Sequence, residues 1–247
     1  ALALDKQRNS QMTGWRPMKL IDQSTWPRRE HFAFFQSRRN PCVAVTAPIS
    51  VEKLLRFRQQ CGEGKPRLSD CVYYAVMRSA NAVPELRQRL VDLRPVEFAQ
   101  VDAAFTYQPK GRDLHANCVA AYDASFARFR QTMDAARQAA DAAPTLTPPG
   151  GESQGLIYMT NLPDVAFTAL SNPWDDPWRD SVPRVAFGKI DPSRLTMPVA
   201  LEALHSFVDG RHVGEFFGRV EAVLAEPERM FGGEASGSKR GTGFAGF

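Results

Sequence analysis

The sequence has no long hydrophobic run, few cysteines and few histidines. No apolar stretch approaches the roughly 20 residues that span a bilayer, and the N-terminal residues lack the apolar core of a signal peptide. The four cysteines and four histidines show no CxxC or HxxxH spacing, so the chain is expected to bind no metal. We expect a cytoplasmic protein with reduced thiols and no membrane partner.

The chain also lacks a concentrated charge. Its formal net charge of +4 comes from arginines scattered along 247 residues, without a basic block or a recognisable nucleic-acid-binding module. Nucleic acid is therefore not an expected partner, although a mild positive charge favours anionic ligands.

Helical and strand-like segments are mixed along the chain, with no internal repeat. Apolar periodicity predicts helices over 24–35, 50–62, 67–90 (interrupted near Pro84), 123–143 and 209–227. Strands are predicted over 41–49, 100–108, 114–122, 155–161, 164–170, 184–190 and 196–205. This mixture predicts a single α/β domain over residues 1–231, a sheet with helices over at least one face. Residues 1–20 are expected to be an irregular lead-in, and the Gly/Ser-rich residues 232–247 a disordered tail.

The stretch "LHSFVDGRHVGEFF", residues 204–217, joins a predicted strand to a predicted helix. His205 ends the strand, where an imidazole that titrates near neutrality can act as a general base. Asp209 stands where a helix cap is expected, and Gly210 allows close approach of backbone or ligand. Taken alone, these residues are also compatible with a capped helix preceded by a structural histidine, because HxxxDG is a weakly specific pattern.

A second motif changes this interpretation. The stretch "TWPRREHFAFF", residues 25–35, contains W-x-R-x-E-H-F. Together with H-x-x-x-D-G near the other end, it resembles the chloramphenicol acetyltransferase family, from Trp26 to Leu224. Weaker matches are "VPELRQRL", "VDAAFTYQ", "NLPDVAFTAL" and "VPRVAFGK".

The resemblance implies a two-layer α/β sandwich, a mixed sheet covered by helices, that assembles as a homotrimer with active sites between subunits. It implies acetyl-CoA as co-substrate, a small alcohol as acceptor and no tightly bound cofactor. His205 falls on the family's catalytic histidine, which deprotonates the acceptor hydroxyl. Asp209 and Arg28 fall on the salt bridge that supports the site.

The resemblance also assigns residues to the two substrates. Phe34 and Phe35 match aromatic positions on the wall of the acceptor pocket. Lys189 matches a lysine near the coenzyme, although a solvated lysine at a strand end is an equally good interpretation.

The sequence departs from the family at polar auxiliary residues. Ala166 replaces a serine that stabilises the oxyanion, and loss of one such donor commonly costs about 10²–10³ in rate. Ala186 replaces a threonine that positions a water molecule, and Leu204 stands where a second histidine is frequent. Thr168 lies two residues after Ala166 on the predicted strand, where it would face the same side and partly substitute for the serine.

The remaining histidines are not predicted to be catalytic. His31 is expected to be structural because its motif lies on a helix, and His115 is expected to face solvent. By helical periodicity, His212 is expected on the exposed side of the last helix.

The function predicted from this resemblance is acyl-CoA-dependent O-acyltransferase, with chloramphenicol as one compatible acceptor. The alternative is a catalytically weak or inactive trimeric binding or scaffold protein of the same fold, because Ala166 and Ala186 remove polar groups. The catalytic core of dihydrolipoamide acyltransferases shares H-x-x-x-D-G but prefers an arginine after the histidine, where this chain has Ser206.

Overall fold

The computed structural model describes residues 16–232. The strands are β1 (Met18–Leu20), β2 (Cys42–Ser50), β3 (Gln88–Val91), β4 (Arg94–Phe98), β5 (Asp102–Tyr107), β6 (Ala116–Ala120), β7 (Leu156–Leu162), β8 (Arg184–Gly188) and β9 (Thr196–Leu204). The α-helices are α1 (Arg29–Gln36), α2 (Glu52–Gln60), α3 (Leu68–Ala82), α4 (Phe126–Ala142), α5 (Gly210–Leu224) and α6 (Pro227–Phe231). Two 3-10 turns are Gly62–Gly64 and Pro84–Arg87.

A six-stranded mixed sheet in the order β2-β9-β8-β7-β5-β6 forms the centre of the fold. Its inner pairs β5–β7 and β7–β8 are parallel, whereas β9 is antiparallel to both β8 and β2. A parallel pair needs a long crossover, and residues 108–155, which contain β6 and α4, provide one between β5 and β7. The predicted mixed α/β architecture is confirmed.

The two faces of this sheet are different. Side chains alternate along a strand, and one set, which includes Phe105, Met159 and Phe187, joins residues of α3 and α5 in the main hydrophobic core. On the other face a small separate cluster contains Ala104 and Leu156, with Tyr158 packed beside it. The helices therefore cover one face, and the other face is available for a second layer of contacts.

Helix α5 forms because its apolar residues recur at helical spacing. Its buried side chains are Val213, Phe216, Phe217, Val220, Val223 and Leu224. It packs against α3, whose own central residues are almost all buried. The two helices hold the end of β9, and with it the start of the predicted site, against the body of the protein.

Several predictions of secondary structure are wrong in detail. Residues 164–170 do not form a strand, although their composition is strand-like. Part of the predicted lead-in, Met18–Leu20, is strand β1, which pairs with β4 in a three-stranded sheet with β3. The helix predicted over 67–90 is wrong beyond Ala82: Pro84 cannot continue the helical hydrogen bonds, and residues 84–87 form a 3-10 turn that leads into strand β3. Strand β4 has no counterpart among the predicted strands.

Two predictions concern segments at the ends of the chain. Residues 1–15 of the lead-in and 233–247 of the tail lie outside the described residues. Within residues 16–232, no helix is both long enough and apolar enough to cross a bilayer.

Candidate active site

His205 lies immediately after β9, and four residues separate it from the start of α5 at Gly210. The backbone N–H of His205 donates to the carbonyl oxygen of Pro41 at 2.7 Å, which extends the pairing of β9 with the β2 end by one residue. Asp209 is the N-cap of α5, and its Oδ1 accepts from the N–H of Arg211 at 3.1 Å. The predicted strand–turn–helix junction and its aspartate cap are confirmed.

Arg28 holds this turn from the other end of the sequence. Its Nη1 lies 2.6 Å from Asp209 Oδ2. Its Nη2 donates to the carbonyl oxygen of His205 at 2.9 Å, and its Nε donates to that of Ser206 at 3.0 Å. All three contacts carry the positive charge of the guanidinium, which makes them stronger than neutral hydrogen bonds. Arg28 therefore fixes both the carboxylate and the backbone on which the imidazole is mounted.

The charge of Asp209 is stabilised in this position. Partial burial acts to raise the pKa of the carboxyl, but the hydrogen bond from Arg28, the charge of Arg28 and the hydrogen bond from the backbone N–H of Arg211 outweigh it. The resulting pKa is below its ordinary value, so Asp209 is ionised at neutral pH. The Asp209 side chain is 33% exposed, so the bridge is only partly sheltered from water.

The imidazole of His205 lies flat against Phe35. The ring centroids are 3.9 Å apart and the ring planes differ by 5°. The Nδ1 atom is buried, and none of the described residues offers it a hydrogen-bond partner. A half-buried imidazole with an aromatic wall can accept a proton from a substrate hydroxyl placed at its exposed edge.

Two buried polar side chains, which the sequence motifs do not single out, support the turn. The Ser206 hydroxyl donates to Gln36 Oε1 at 2.7 Å, and Gln36 Nε2 donates to the carbonyl oxygen of Pro177 at 3.1 Å. Burial of both residues requires such pairing. The motif does place Gln36 on α1, one turn after Phe32, but its partners lie far away in sequence.

Phe34 and Phe35, the two aromatic residues predicted to line the acceptor pocket, differ in their exposure and in their contacts with His205. Phe35 stacks on His205, whereas Phe34 is 55% exposed and contacts Phe35 edge-on at 5.1 Å between centroids. The Arg38 guanidinium lies 4.1 Å from the centroid of the Phe34 ring. Phe34 thus presents an aromatic surface to the outside of this protomer.

The segment that carries Ala166 and Thr168 is an irregular loop, and both residues are exposed. The argument that Thr168 faces the same side as Ala166 is therefore wrong, because it depended on strand geometry. Near these residues the loop is held to the sheet by a backbone contact, in which Lys189 N–H donates to the carbonyl oxygen of Val165 at 2.9 Å. Gly188 permits this approach, because a Cβ there would lie 2.5 Å from the same oxygen.

Ala186 lies on β8, and Lys189 lies directly after the strand. The Lys189 side chain is exposed just beyond the strand end, whereas Ala186 is buried and pairs with Thr160 in register. The structure does not bring Lys189, Thr168 or Ala186 into contact with His205 within one chain.

A cavity of about 320 Å³ lies on the sheet face opposite the helices. It is lined by Ala104, Phe105, Thr106, Asn117, Cys118, Val119, Leu146, Pro148, Gly151, Tyr158, Asn172, Pro173 and Arg184. Arg184 contributes a positive charge to the cavity lining. It pairs with Asp180, and its guanidinium lies 3.6 Å from the centroid of the Trp174 ring. His205, Asp209 and Arg28 do not line this cavity, so one chain carries a base and a pocket at separate places.

The remaining histidines test the sequence predictions. His31 and His115 are exposed, as expected for His115. The prediction that His212 is exposed is wrong: its side chain is 12% exposed and lies between Asp209 and Glu85. Within residues 16–232, no three His, Cys, Asp or Glu side chains are grouped as a metal site.

Comparison with known proteins gives the family. The family model described as chloramphenicol acetyltransferase matches residues 17–221. The chain belongs to the chloramphenicol acetyltransferase family. It is therefore an acyltransferase, and acetyl-CoA is the co-substrate of the family.

Individual relatives agree with this assignment. The chain is 28% identical to the chloramphenicol acetyltransferase of Streptomyces acrimycini over 84% of its own length and 94% of that protein. It is 24% identical to chloramphenicol acetyltransferase 2 of Haemophilus influenzae over 82% and 95%.

Solved structures agree as well. A chloramphenicol acetyltransferase structure matches with a TM-score of 0.74 at 28% identity and covers 84% of this chain and 100% of that one. The dihydrolipoamide acetyltransferase of Azotobacter vinelandii matches with a TM-score of 0.60 at 15% identity, covering 81% and 88%, a likeness of fold alone.

Proposed function

We propose that this acyltransferase transfers the acetyl group of acetyl-CoA to the hydroxyl of a small alcohol, with His205 as general base. The observation that carries the proposal is the arginine clamp. Arg28 binds the carbonyl oxygens of His205 and Ser206 while it pairs with Asp209. These three contacts fix the backbone on which the base is mounted, and catalysis by positioning requires such a fixed support.

The reaction balances with this one residue as proton carrier. His205 takes the proton of the acceptor hydroxyl as the oxygen attacks the thioester carbonyl carbon. The tetrahedral intermediate then expels the sulfur, and the imidazolium returns its proton to the coenzyme A thiolate. The products are an acetyl ester and coenzyme A, and the enzyme ends in its starting protonation state.

The same proposal includes a homotrimer whose active sites lie between subunits. The base lies at the β2–β9 end of the sheet, whereas the cavity lies near β5 and β6. Large apolar side chains exposed on this protomer, Phe34, Val45, Val165 and Trp178, would be covered by a neighbour. Strand β2 is an edge of the six-stranded sheet, and natural proteins commonly cover such edges.

Within this assembly we assign Phe34, Phe35 and Thr168 to the acceptor and Lys189 to the coenzyme. Chloramphenicol is one acceptor of suitable size to try. The four free thiols, at Cys42, Cys61, Cys71 and Cys118, are in keeping with function in the reducing cytoplasm.

The experiment is thiol release from acetyl-CoA, followed with a chromogenic reagent across a panel of alcohols that includes chloramphenicol. Replacement of His205 by Ala should lower kcat by about 10²–10⁴. The matched control is His31→Ala, which removes an exposed imidazole and should leave kcat unchanged. Turnover that survives in His205→Ala would rule out the proposed base.

A second candidate function is a binding or scaffold protein that retains the fold without the chemistry. The observation in its favour is that Ala166 and Ala186 carry no hydrogen-bonding group. Coenzyme A binding by calorimetry, together with no thiol release for any alcohol in the panel, would support this candidate over the enzyme.

A further inference from the structure

His212 occupies a position that links the catalytic turn to the body of the protein. Its Nδ1 accepts a hydrogen bond from the backbone N–H of Asp209 at 3.1 Å, and lies 3.2 Å from Asp209 Oδ1. Asp209 and His212 thus form a reciprocal capping arrangement at the start of α5. In the usual capping box the third helical residue is Glu or Gln, so an imidazole at this position needs a further reason.

Glu85 supplies that reason. Because Nδ1 accepts a hydrogen bond, the proton of the neutral imidazole lies on Nε2. Nε2 lies 3.5 Å from Glu85 Oε1, and the two side chains are 12% and 27% exposed. A Glu or Gln side chain at position 212 would satisfy the Asp209 N–H but would have no second nitrogen to point at Glu85.

Glu85 belongs to the 3-10 turn Pro84–Arg87, which connects α3 to β3. This turn is anchored by Leu86, which is fully buried, and by the end of α3, whose Ala80 and Val83 are buried. A contact from His212 to Glu85 therefore ties the cap of α5 to a rigid part of the main core.

The contacts form one continuous chain of four side chains. Glu85 meets His212, His212 holds the Asp209 backbone, and Asp209 pairs with Arg28. Arg28 in turn donates to the carbonyl oxygens of His205 and Ser206. A displacement at one end of the chain is passed to the backbone of the base, although neither Glu85 nor His212 touches the His205 ring in this protomer.

We propose that His212 and Glu85 are positioning residues for His205. This inference rests on the proposed function, because it assigns them a role in orienting the base of that reaction. Small displacements of a reacting group lower the rate of chemistry much more than the binding of substrates. The expected signature is therefore a lower kcat with an unchanged KM for acetyl-CoA.

Four variants separate positioning from simple helix capping. His212→Ala removes both contacts and should lower kcat by about 10-fold. His212→Gln restores the capping box without the Glu85 contact, so it should recover the melting temperature but only part of kcat. Glu85→Ala should resemble His212→Gln, and Glu85→Gln, which keeps an oxygen able to face Nε2, should keep kcat near the wild-type value. KM for acetyl-CoA should stay within about two-fold throughout.

A matched control lies on the same helix. Glu215 forms an i,i+4 pair with Arg219 on the surface of α5 and has no contact with the four-residue chain among the described residues. Glu215→Gln should leave both kcat and the melting temperature of the enzyme unchanged.

A spectroscopic measurement tests the proposal without any turnover. The ring protons of His205 should resonate upfield because the imidazole lies 3.9 Å from the Phe35 ring. With four histidines in the chain, single His→Ala spectra assign these signals. In His212→Ala and Glu85→Ala the His205 signals should move away from their wild-type positions, while those of Glu215→Gln should not.

The outcomes are distinct. A fall in kcat together with moved His205 signals supports positioning. A change in melting temperature alone, or a fall in kcat with unmoved His205 signals, overturns it. If the His205 signals move but the wild type turns over no alcohol, positioning of the ring stands and the proposed reaction fails. If His205→Ala abolishes turnover while all four variants behave as wild type, the reaction stands and the positioning role fails.

Discussion

Two arginines hold two loops of this protein with nearly the same set of contacts, but the sequence separation between each arginine and its partners is very different. Arg28 pairs with Asp209 and donates to two backbone carbonyls, across 177–181 positions of sequence. Arg184 pairs with Asp180 and donates to the carbonyl oxygen of Val182, all within four positions. Both guanidinium groups are almost buried, with side chains 12% and 9% exposed.

The difference lies in what each contact organises. The Arg184 contact fixes a local loop beside the cavity, so its consequences should remain at the acceptor pocket. The Arg28 contact joins the N-terminal motif to the C-terminal one and determines where the imidazole of His205 sits. Each region contains buried polar atoms without a partner among the described residues: His205 Nδ1 near Arg28, and Trp174 Nε1 and Asp180 Oδ1 near Arg184. The two regions therefore differ in the sequence range that each arginine spans and not in how completely their polar groups are paired.

The sharpest test of this comparison is a matched pair of substitutions. Arg28→Met should lower the unfolding free energy by about 2–3 kcal/mol, because it removes three contacts of a charged donor from a partly exposed site. It should also lower kcat by about 100-fold through loss of positioning. Arg184→Met should destabilise by a similar amount but act on KM for the acceptor. Thiol-release kinetics and denaturant unfolding measure both effects.

The control for both substitutions is Arg219→Met. This arginine is 48% exposed and pairs with Glu215 on the surface of α5, and exposed pairs contribute little to stability. If Arg28→Met and Arg184→Met lower kcat equally, the two regions do not differ in function and the comparison is broken.

The second prediction concerns the acceptor half. Ala166→Ser returns a hydroxyl to the position that the resemblance assigns to the oxyanion donor, and should raise kcat about 10-fold, less than the full 10²–10³ of a preorganised donor. The gain is incomplete because residue 166 lies exposed in an irregular loop and not on a strand of the sheet. Ala169→Ser places the same group three residues further along that loop as a control. An equal gain in both variants would show that the oxyanion assignment is wrong.

The Arg28–Asp209 contact beside His205, the proposed base, could be predicted from sequence, and the structure contains it. His205, Asp209 and Arg28 lie in two dense motifs whose spacing within each motif is local, and only their mutual contact is long-range. The cap of α5 follows from Asp209 and the buried face of the helix from regular apolar spacing. His212 was placed on the exposed side because periodicity describes one helix and contains no information about Glu85.

The parts that could not be predicted depend on distant backbone groups. Arg89 is fully buried in β3, where its guanidinium donates to the carbonyl oxygens of Gln154, Leu156 and Leu86. Burial lowers its pKa to about 9. From sequence, a charged residue in a short segment is expected to be exposed. No local pattern indicates that carbonyl oxygens from distant segments will surround its guanidinium. The prediction of a strand at 164–170 fails for a similar reason. Among the described residues, the segment makes one backbone hydrogen bond to the end of the sheet, from Lys189 N–H to the carbonyl oxygen of Val165.

The smallest expected effect is the pH dependence of the Arg28–Asp209 bridge. The pKa of Asp209 is lowered in the folded protein, since the Arg28 hydrogen bond and the nearby charges outweigh partial burial. The stabilisation is therefore fully present above the ordinary carboxyl pKa and is lost as the pH falls through the folded-state value. The unfolding free energy of the wild type should exceed that of Asp209→Asn by a constant amount from pH 8 to about pH 5, and the difference should shrink below about pH 4. Denaturant unfolding of both proteins across that range measures it, and Asp113→Asn, at an exposed carboxyl, controls for the loss of one negative charge. A difference that grows as the solution becomes more acidic would mean that the carboxyl is destabilised by folding, and the clamp on His205 would then rest on the two backbone hydrogen bonds of Arg28 alone.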